Sequence, residues 1–139
     1  MPIVYLTRRE RFSSAHRIYN PEWTDEKNYE VYGKCSNPKW HGHNYDLFVT
    51  VKGNMNQENG YLVDISLLSK IIRETVIDKL DHKNINLETD FMVDKIVSTE
   101  NLAVEIWKLL TPYVEKLNIK LHCIRIEETE NNIIEYYGE

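Results

Sequence analysis

The chain has 139 residues, 42% hydrophobic and 28% charged, with a net charge of −5. That length suits one domain spanning residues 1–139, and the acidic balance without a basic stripe disfavours nucleic acid as a partner. Two separated cysteines argue against a disulfide framework. No apolar run approaches the roughly 18 residues of a membrane helix, so a reduced, cytoplasmic protein with neither signal peptide nor membrane association is expected.

Residues 3–14 mix β-branched, aromatic and charged types and read as a strand, ending in Phe12-Ser13-Ser14-Ala15-His16. Residues 19–40 carry Asn20-Pro21, Asp25, Asn28, Gly33 and Asn37-Pro38, all turn formers, and read as one long loop. A loop of that length in a compact domain points to function, and this one delivers Cys35 and then His41. From His41 the pattern has period two. His41, His43, Tyr45, Leu47, Val49 and Val51 share one face of a strand whose inner side begins with two histidines. Asn54–Gly60 turns the chain and Tyr61–Asp64 returns it.

Residues 66–80 read as an amphipathic helix with Leu67, Leu68, Ile71, Ile72, Val76 and Leu80 on one stripe, capped by Asp64 or Ser66. A polar exit, Leu80–Asn86, follows. A second helix starts near Ser98 or Thr99 and turns Leu102, Ile106, Leu109, Leu110, Val114 and Leu117 inward, with Pro112 expected to kink it or end its first half. Residues 119–128 and 133–137 read as a closing hairpin. The order β-β-α-α-β-β is α+β, with both helices on one face of an antiparallel sheet. Its edge strands stay open, which favours self-association.

Three histidines can converge, because an antiparallel partner brings the end of the first strand, His16, beside the start of the second, His41 and His43. Neutral imidazoles suit zinc, and three of them leave a fourth position open, the pattern of catalytic rather than structural sites. Cys35 is a further ligand or a separate reactive thiol; Lys34 beside it favours the thiolate. Cys123, between apolar neighbours, reads as inert. Asp81-His82 forms a proton relay only if folding brings it to Cys35. Glu128 continues the parity of Ile124 and Ile126, so its carboxylate needs a buried partner, which a heterocycle with adjacent N–H groups would supply. His122 shares that parity and reads as a satisfied core or interface histidine. Trp107 reads as helix packing and Trp40 as a pocket rim.

These residues fall in an ordered set of segments: Phe12–Arg17, Gly33–Pro38, His41–Tyr45, Leu80–Asn84, Ser98–Asn101 and Glu128–Asn132. In that order and spacing, nearly end to end, the chain resembles the 6-pyruvoyl-tetrahydropterin synthase family. The resemblance implies the T-fold, a ββααββ unit that forms a barrel by oligomerisation, commonly a homohexamer of two trimers with active sites between subunits. It implies His16, His41 and His43 as ligands of one Zn2+ per subunit, with Mg2+ accompanying the triphosphate. By the same resemblance Cys35 is the catalytic base, Asp81 and His82 are the relay, and Glu128 anchors the pterin. Ser98, Thr99 and Glu100 then line the pterin pocket. The implied reaction is that of a lyase of tetrahydrobiopterin biosynthesis: 7,8-dihydroneopterin triphosphate becomes 6-pyruvoyl-tetrahydropterin with elimination of triphosphate.

The alternative within the superfamily is a 6-carboxy-tetrahydropterin synthase of deazapurine (queuosine) biosynthesis. Its members usually have three residues between Cys and His-Gly-His, whereas five separate Cys35 from His41 here. Two readings of other classes are a non-catalytic pterin- or metal-binding subunit and a cysteine hydrolase built on Cys35, His82 and Asp81. Arg8, Arg9, Arg11, Lys34 and Lys39 are equal candidates for the triphosphate. Trp40 stands where a small residue is common and would narrow the pocket.

Overall fold

The computed structural model describes residues 2–139. Two long strands, β1 (Ile3–His16) and β2 (His41–Asn54), pair antiparallel along their whole length, from Ile3 opposite Asn54 to His16 opposite His41. The chain adds β3 (Lys83–Asn84), β4 (Lys120–Glu127) and β5 (Ile133–Tyr136), giving the sheet order β3-β1-β2-β4-β5. The sheet is not wholly antiparallel, because the two-residue β3 runs parallel to β1. Nothing in so short and polar a segment announces a strand; its pairing comes from the backbone of β1.

Period two along the strands decides which face is covered. Phe12, Tyr45, Leu47, Val49, Val51, Ile124 and Ile126 are all buried. Two helical runs pack on that face. The first starts at α2 (Ile65–Ile72), passes through a π-helical turn at Arg73–Ile77 and ends in α3 (Asp78–Leu80). Asp64 caps it, accepting from the backbone N–H of Ser66 and Leu67. Leu68, Ile72, Val76 and Leu80 turn inward, but Leu67, expected on the same stripe, is exposed. After α4 (Ile85–Glu88), α5 (Thr99–Glu115) buries Leu102, Ile106, Leu110 and Val114, each contributing about 1.5–3 kcal/mol of burial. Pro112 does not end α5. It lies in the last turn, where the helix runs on to Glu115.

The segment expected as loop over 19–40 holds a helix, α1 (Asp25–Tyr32), followed by a 3-10 turn at Gly33–Ser36. Thr24 caps α1, and Asp25 and Glu26 sit in its first turn, where the helix dipole favours acids. Its anchor is a polar residue, Asn28, which is buried. The Asn28 amide donates to the carbonyls of Asn20 and Thr24 (3.0 and 3.1 Å) and accepts from the Asn20 N–H (2.7 Å). A helix held this way has no apolar stripe to read. Asn28→Ala should lower unfolding stability by about 1–3 kcal/mol, since it strands buried backbone groups. A denaturant midpoint equal to wild type would contradict this.

A bulge removes the core alternative for His122 and leaves the interface one. Thr50 pairs with Cys123 and Val51 with Leu121, so His122 is the extra residue. It lies not in the core but half-buried, edge-on between Tyr5 (4.7 Å) and Tyr137 (5.6 Å). Trp107 packs as expected, edge-on to Tyr136 and against Gly138, where positive φ and the indole leave no room for a Cβ. Among the described residues, no helix is long and apolar enough to cross a membrane.

Candidate active site

The β1–β2 register places His16 directly opposite His41, with His43 opposite Ser14. Side chains two apart on β2 share a face, so the three imidazoles converge; one nitrogen from each lies within 4.8 Å of the others. The Nδ1–H of His16 donates to the carbonyl of Val97 at 2.9 Å, which leaves Nε2 with its lone pair toward the cluster. His16 Nε2, His41 Nδ1 and His43 Nε2 are buried without a hydrogen-bond partner among the described residues. Burial holds the His16 imidazole down to about 4, and His41 is shifted the same way, with the neighbouring imidazoles adding to it. Three imidazole nitrogens, orphaned and within 4.8 Å of one another, fit a metal ion.

Glu128 stands over this cluster. Its carboxylate oxygens lie 3.9 Å from His16 Nε2 and from His43 Nε2. The Thr99 hydroxyl donates to the same carboxylate. Glu128 lies just past β4, and its N–H bonds the carbonyl of Asn132, which closes the turn to β5. Ser98 is spent on capping α5, accepting from the Asn101 N–H, while Glu100 is exposed in the first turn. Of the expected pocket segment, Thr99 is the residue whose side chain hydrogen-bonds Glu128 among the described residues.

Cys35 is exposed on the 3-10 turn, with its carbonyl accepting from Ile18 N–H at 2.8 Å, two residues past His16. Asp81 and His82 follow α3 on the opposite edge of β1. Ser13 N–H donates to Asp81 Oδ1 at 2.9 Å, and His82 N–H donates to the Ser13 carbonyl at 2.7 Å. The bond from Ser13 holds the Asp81 carboxyl below its ordinary value. Asp81 Oδ2 lies 2.9 Å from His82 Nδ1, and the exposed imidazole has a left-handed backbone with φ of 60°. His82 and His43 border one cavity of about 480 Å3, while residues beside Cys35 border another of about 280 Å3. Among the described residues, no hydrogen bond joins the Cys35 thiol to Asp81 or His82.

Two groups escape the sequence reading. The Val97 carbonyl has no side-chain signature. Tyr45 shares the parity of His41 and His43 but looks like plain core; its buried hydroxyl has no partner among the described residues, and burial with Glu128 nearby raises its pKa. The five cations proposed for phosphate also separate. Arg8 and Arg11 are tied to Glu10 and Asp46, whereas Arg9, Lys34 and Lys39 are exposed. Trp40 borders the turn into β2, half-buried, at φ of 71°.

Comparison with known proteins follows the same lines. A 6-pyruvoyl tetrahydrobiopterin synthase of Dictyostelium discoideum is 43% identical over 136 residues, 98% of this chain and 97% of that protein. One from Poecilia reticulata is 43% identical over 138 residues, covering 99% and 92%. The solved structure of 6-pyruvoyl tetrahydropterin synthase from Caenorhabditis elegans superposes with a TM-score of 0.93 at 33% identity, over 100% of this chain and 98% of that one. A 6-carboxy-5,6,7,8-tetrahydropterin synthase of Bacillus subtilis is more distant, 31% identical over 100 residues, 70% of this chain and 64% of that protein. The family described as 6-pyruvoyl tetrahydropterin synthase matches residues 5–139, and the chain belongs to it.

Proposed function

We propose that the chain converts 7,8-dihydroneopterin triphosphate to 6-pyruvoyl-tetrahydropterin with elimination of triphosphate, as a zinc-dependent carbon–oxygen lyase. The observation that carries this is the set of three orphaned imidazole nitrogens under the Glu128–Thr99 pair. The pyruvoyl branch is favoured over the carboxy branch by near-full-length relatives of that name and by the five residues between Cys35 and His41.

Zinc held by His16, His41 and His43 would polarise a side-chain oxygen of the substrate and acidify the neighbouring C–H bond. The Cys35 thiolate accepts that proton. The Glu128 carboxylate accepts two hydrogen bonds from the pterin amino and ring N–H groups, which fixes the ring's register, and the Thr99 hydroxyl fixes the carboxylate. Asp81 orients the His82 imidazole through Nδ1, leaving Nε2 to carry a proton. No external redox cofactor enters, because the side chain is oxidised as the ring is reduced. The leaving triphosphate is an anion, and Arg9, Lys34 and Lys39 are the exposed cations among its candidates that no salt bridge engages among the described residues.

Cys35 and the Asp81–His82 pair flank opposite sides of β1, so the relay is assigned across subunits. Open edges at β3 and β5 and exposed Ile3, Tyr5, Ile133 and Tyr137 support a barrel closed by further copies, as in a hexamer of two trimers. The test is product identification from dihydroneopterin triphosphate with zinc-loaded protein. Triphosphate with a pyruvoyl pterin is expected. Acetaldehyde with a carboxy pterin would select the other branch, and no turnover would leave a binding module.

A further inference from the structure

The residue after the metal cluster joins two halves of the site. Arg17 follows His16, the last residue of β1. Its main chain is clasped by Asn86: Arg17 N–H donates to Asn86 Oδ1 at 2.9 Å, and Asn86 Nδ2 donates to the Arg17 carbonyl at 3.0 Å. That clasp extends the β1–β3 pairing by a side chain and ties Arg17 to the segment that carries Asp81 and His82. The Arg17 side chain reaches the other way. Its Nε–H donates to the Ser36 carbonyl at 2.7 Å, and the next N–H, that of Ile18, donates to the Cys35 carbonyl at 2.8 Å. Two consecutive residues beyond a candidate metal ligand thus hold two consecutive carbonyls of the thiol-bearing turn.

We propose that Arg17 is a positioning residue for Cys35, a guanidinium strut between the end of β1 and the 3-10 turn that sets where the thiol stands relative to the histidine cluster. The proposal rests on the reading of Cys35 as the base. A four-residue 3-10 turn is weakly held by its own bonds and needs an external anchor to stay in one place. The guanidinium suits that task. It is planar, it lies 3.9 Å over the Tyr19 ring, and its side chain is only 14% exposed, so its direction is set by packing before it meets Ser36. The contact with Asp25, 3.9 Å away and 90% exposed, adds little. A lysine would keep the charge but lose the fork and the stacked plane.

Arg17→Gln and Arg17→Lys, zinc-loaded, would be compared with wild type and Cys35→Ala for metal content, kcat, KM and hydrogen exchange. In Arg17→Gln, amides of residues 33–40 should exchange about tenfold faster, the loss of one hydrogen bond's worth of protection, while residues 41–54 stay protected. Misplacing the base should lower kcat by about 100-fold with KM and metal content held. Arg17→Lys should fall between, and it keeps the test open if the glutamine variant folds poorly. Wild-type exchange over 33–40, or a loosened turn with unchanged kcat, would overturn the proposal. So would a loss of zinc or a rise in KM that accounts for the whole defect. If Cys35→Ala turns over like wild type, the base assignment itself fails and the proposal falls with it, whatever Arg17→Gln does.

Discussion

Cys35→Ala is expected to lower triphosphate release by about 100- to 10,000-fold at unchanged zinc content, the range lost with a general base. The size follows from what remains. The metal cluster does not include the thiol, so substrate would still bind and its C–H bond would still be acidified. No second thiol can replace the first. Cys123 is buried on β4, and burial pushes its thiol up, away from the thiolate. Its sulfur lies 3.9 Å from the Glu135 carboxylate, which opposes ionisation further. Steady-state kcat alongside metal analysis is the measurement. A kcat within twofold of wild type would remove Cys35 from the chemistry and point to another acceptor.

His41→Ala is expected to weaken metal binding by more than the 10–100-fold typical of losing an outer-shell partner, and to abolish turnover. His41 supplies one of three converging nitrogens, so two imidazoles would remain, too few for a stable site in this pocket. Dialysis of wild type against a chelator should reproduce the defect, and added zinc should restore wild type alone. His16 would be the poorer choice for this test. It is buried and bonded to Val97, so its removal also opens the core. Retention of activity after complete metal removal would contradict the lyase reading and favour a cysteine hydrolase.

The sequence by itself determined the meeting of the three histidines. Period two puts His41 and His43 on the core face of β2, an antiparallel partner can bring His16 to that end, and the register of the folded sheet sets it opposite His41. It also determined the two core-covering helices, since each carries an apolar stripe with a capping residue before it. Periodicity reports which face is buried and says little about polar anchors. The tertiary structure alone decided α1, whose buried anchor is an amide rather than a stripe. It alone decided β3, the bulge that turns His122 away from the core, and the Val97 carbonyl behind His16. Each depends on a backbone group meeting a partner distant in sequence, and backbone groups are the same in every residue. The same reason governs the candidate site. The sequence names Cys35, Asp81, His82 and Glu128, but the bonds from Ile18, Ser13 and Thr99 that hold them appear only once the chain is folded.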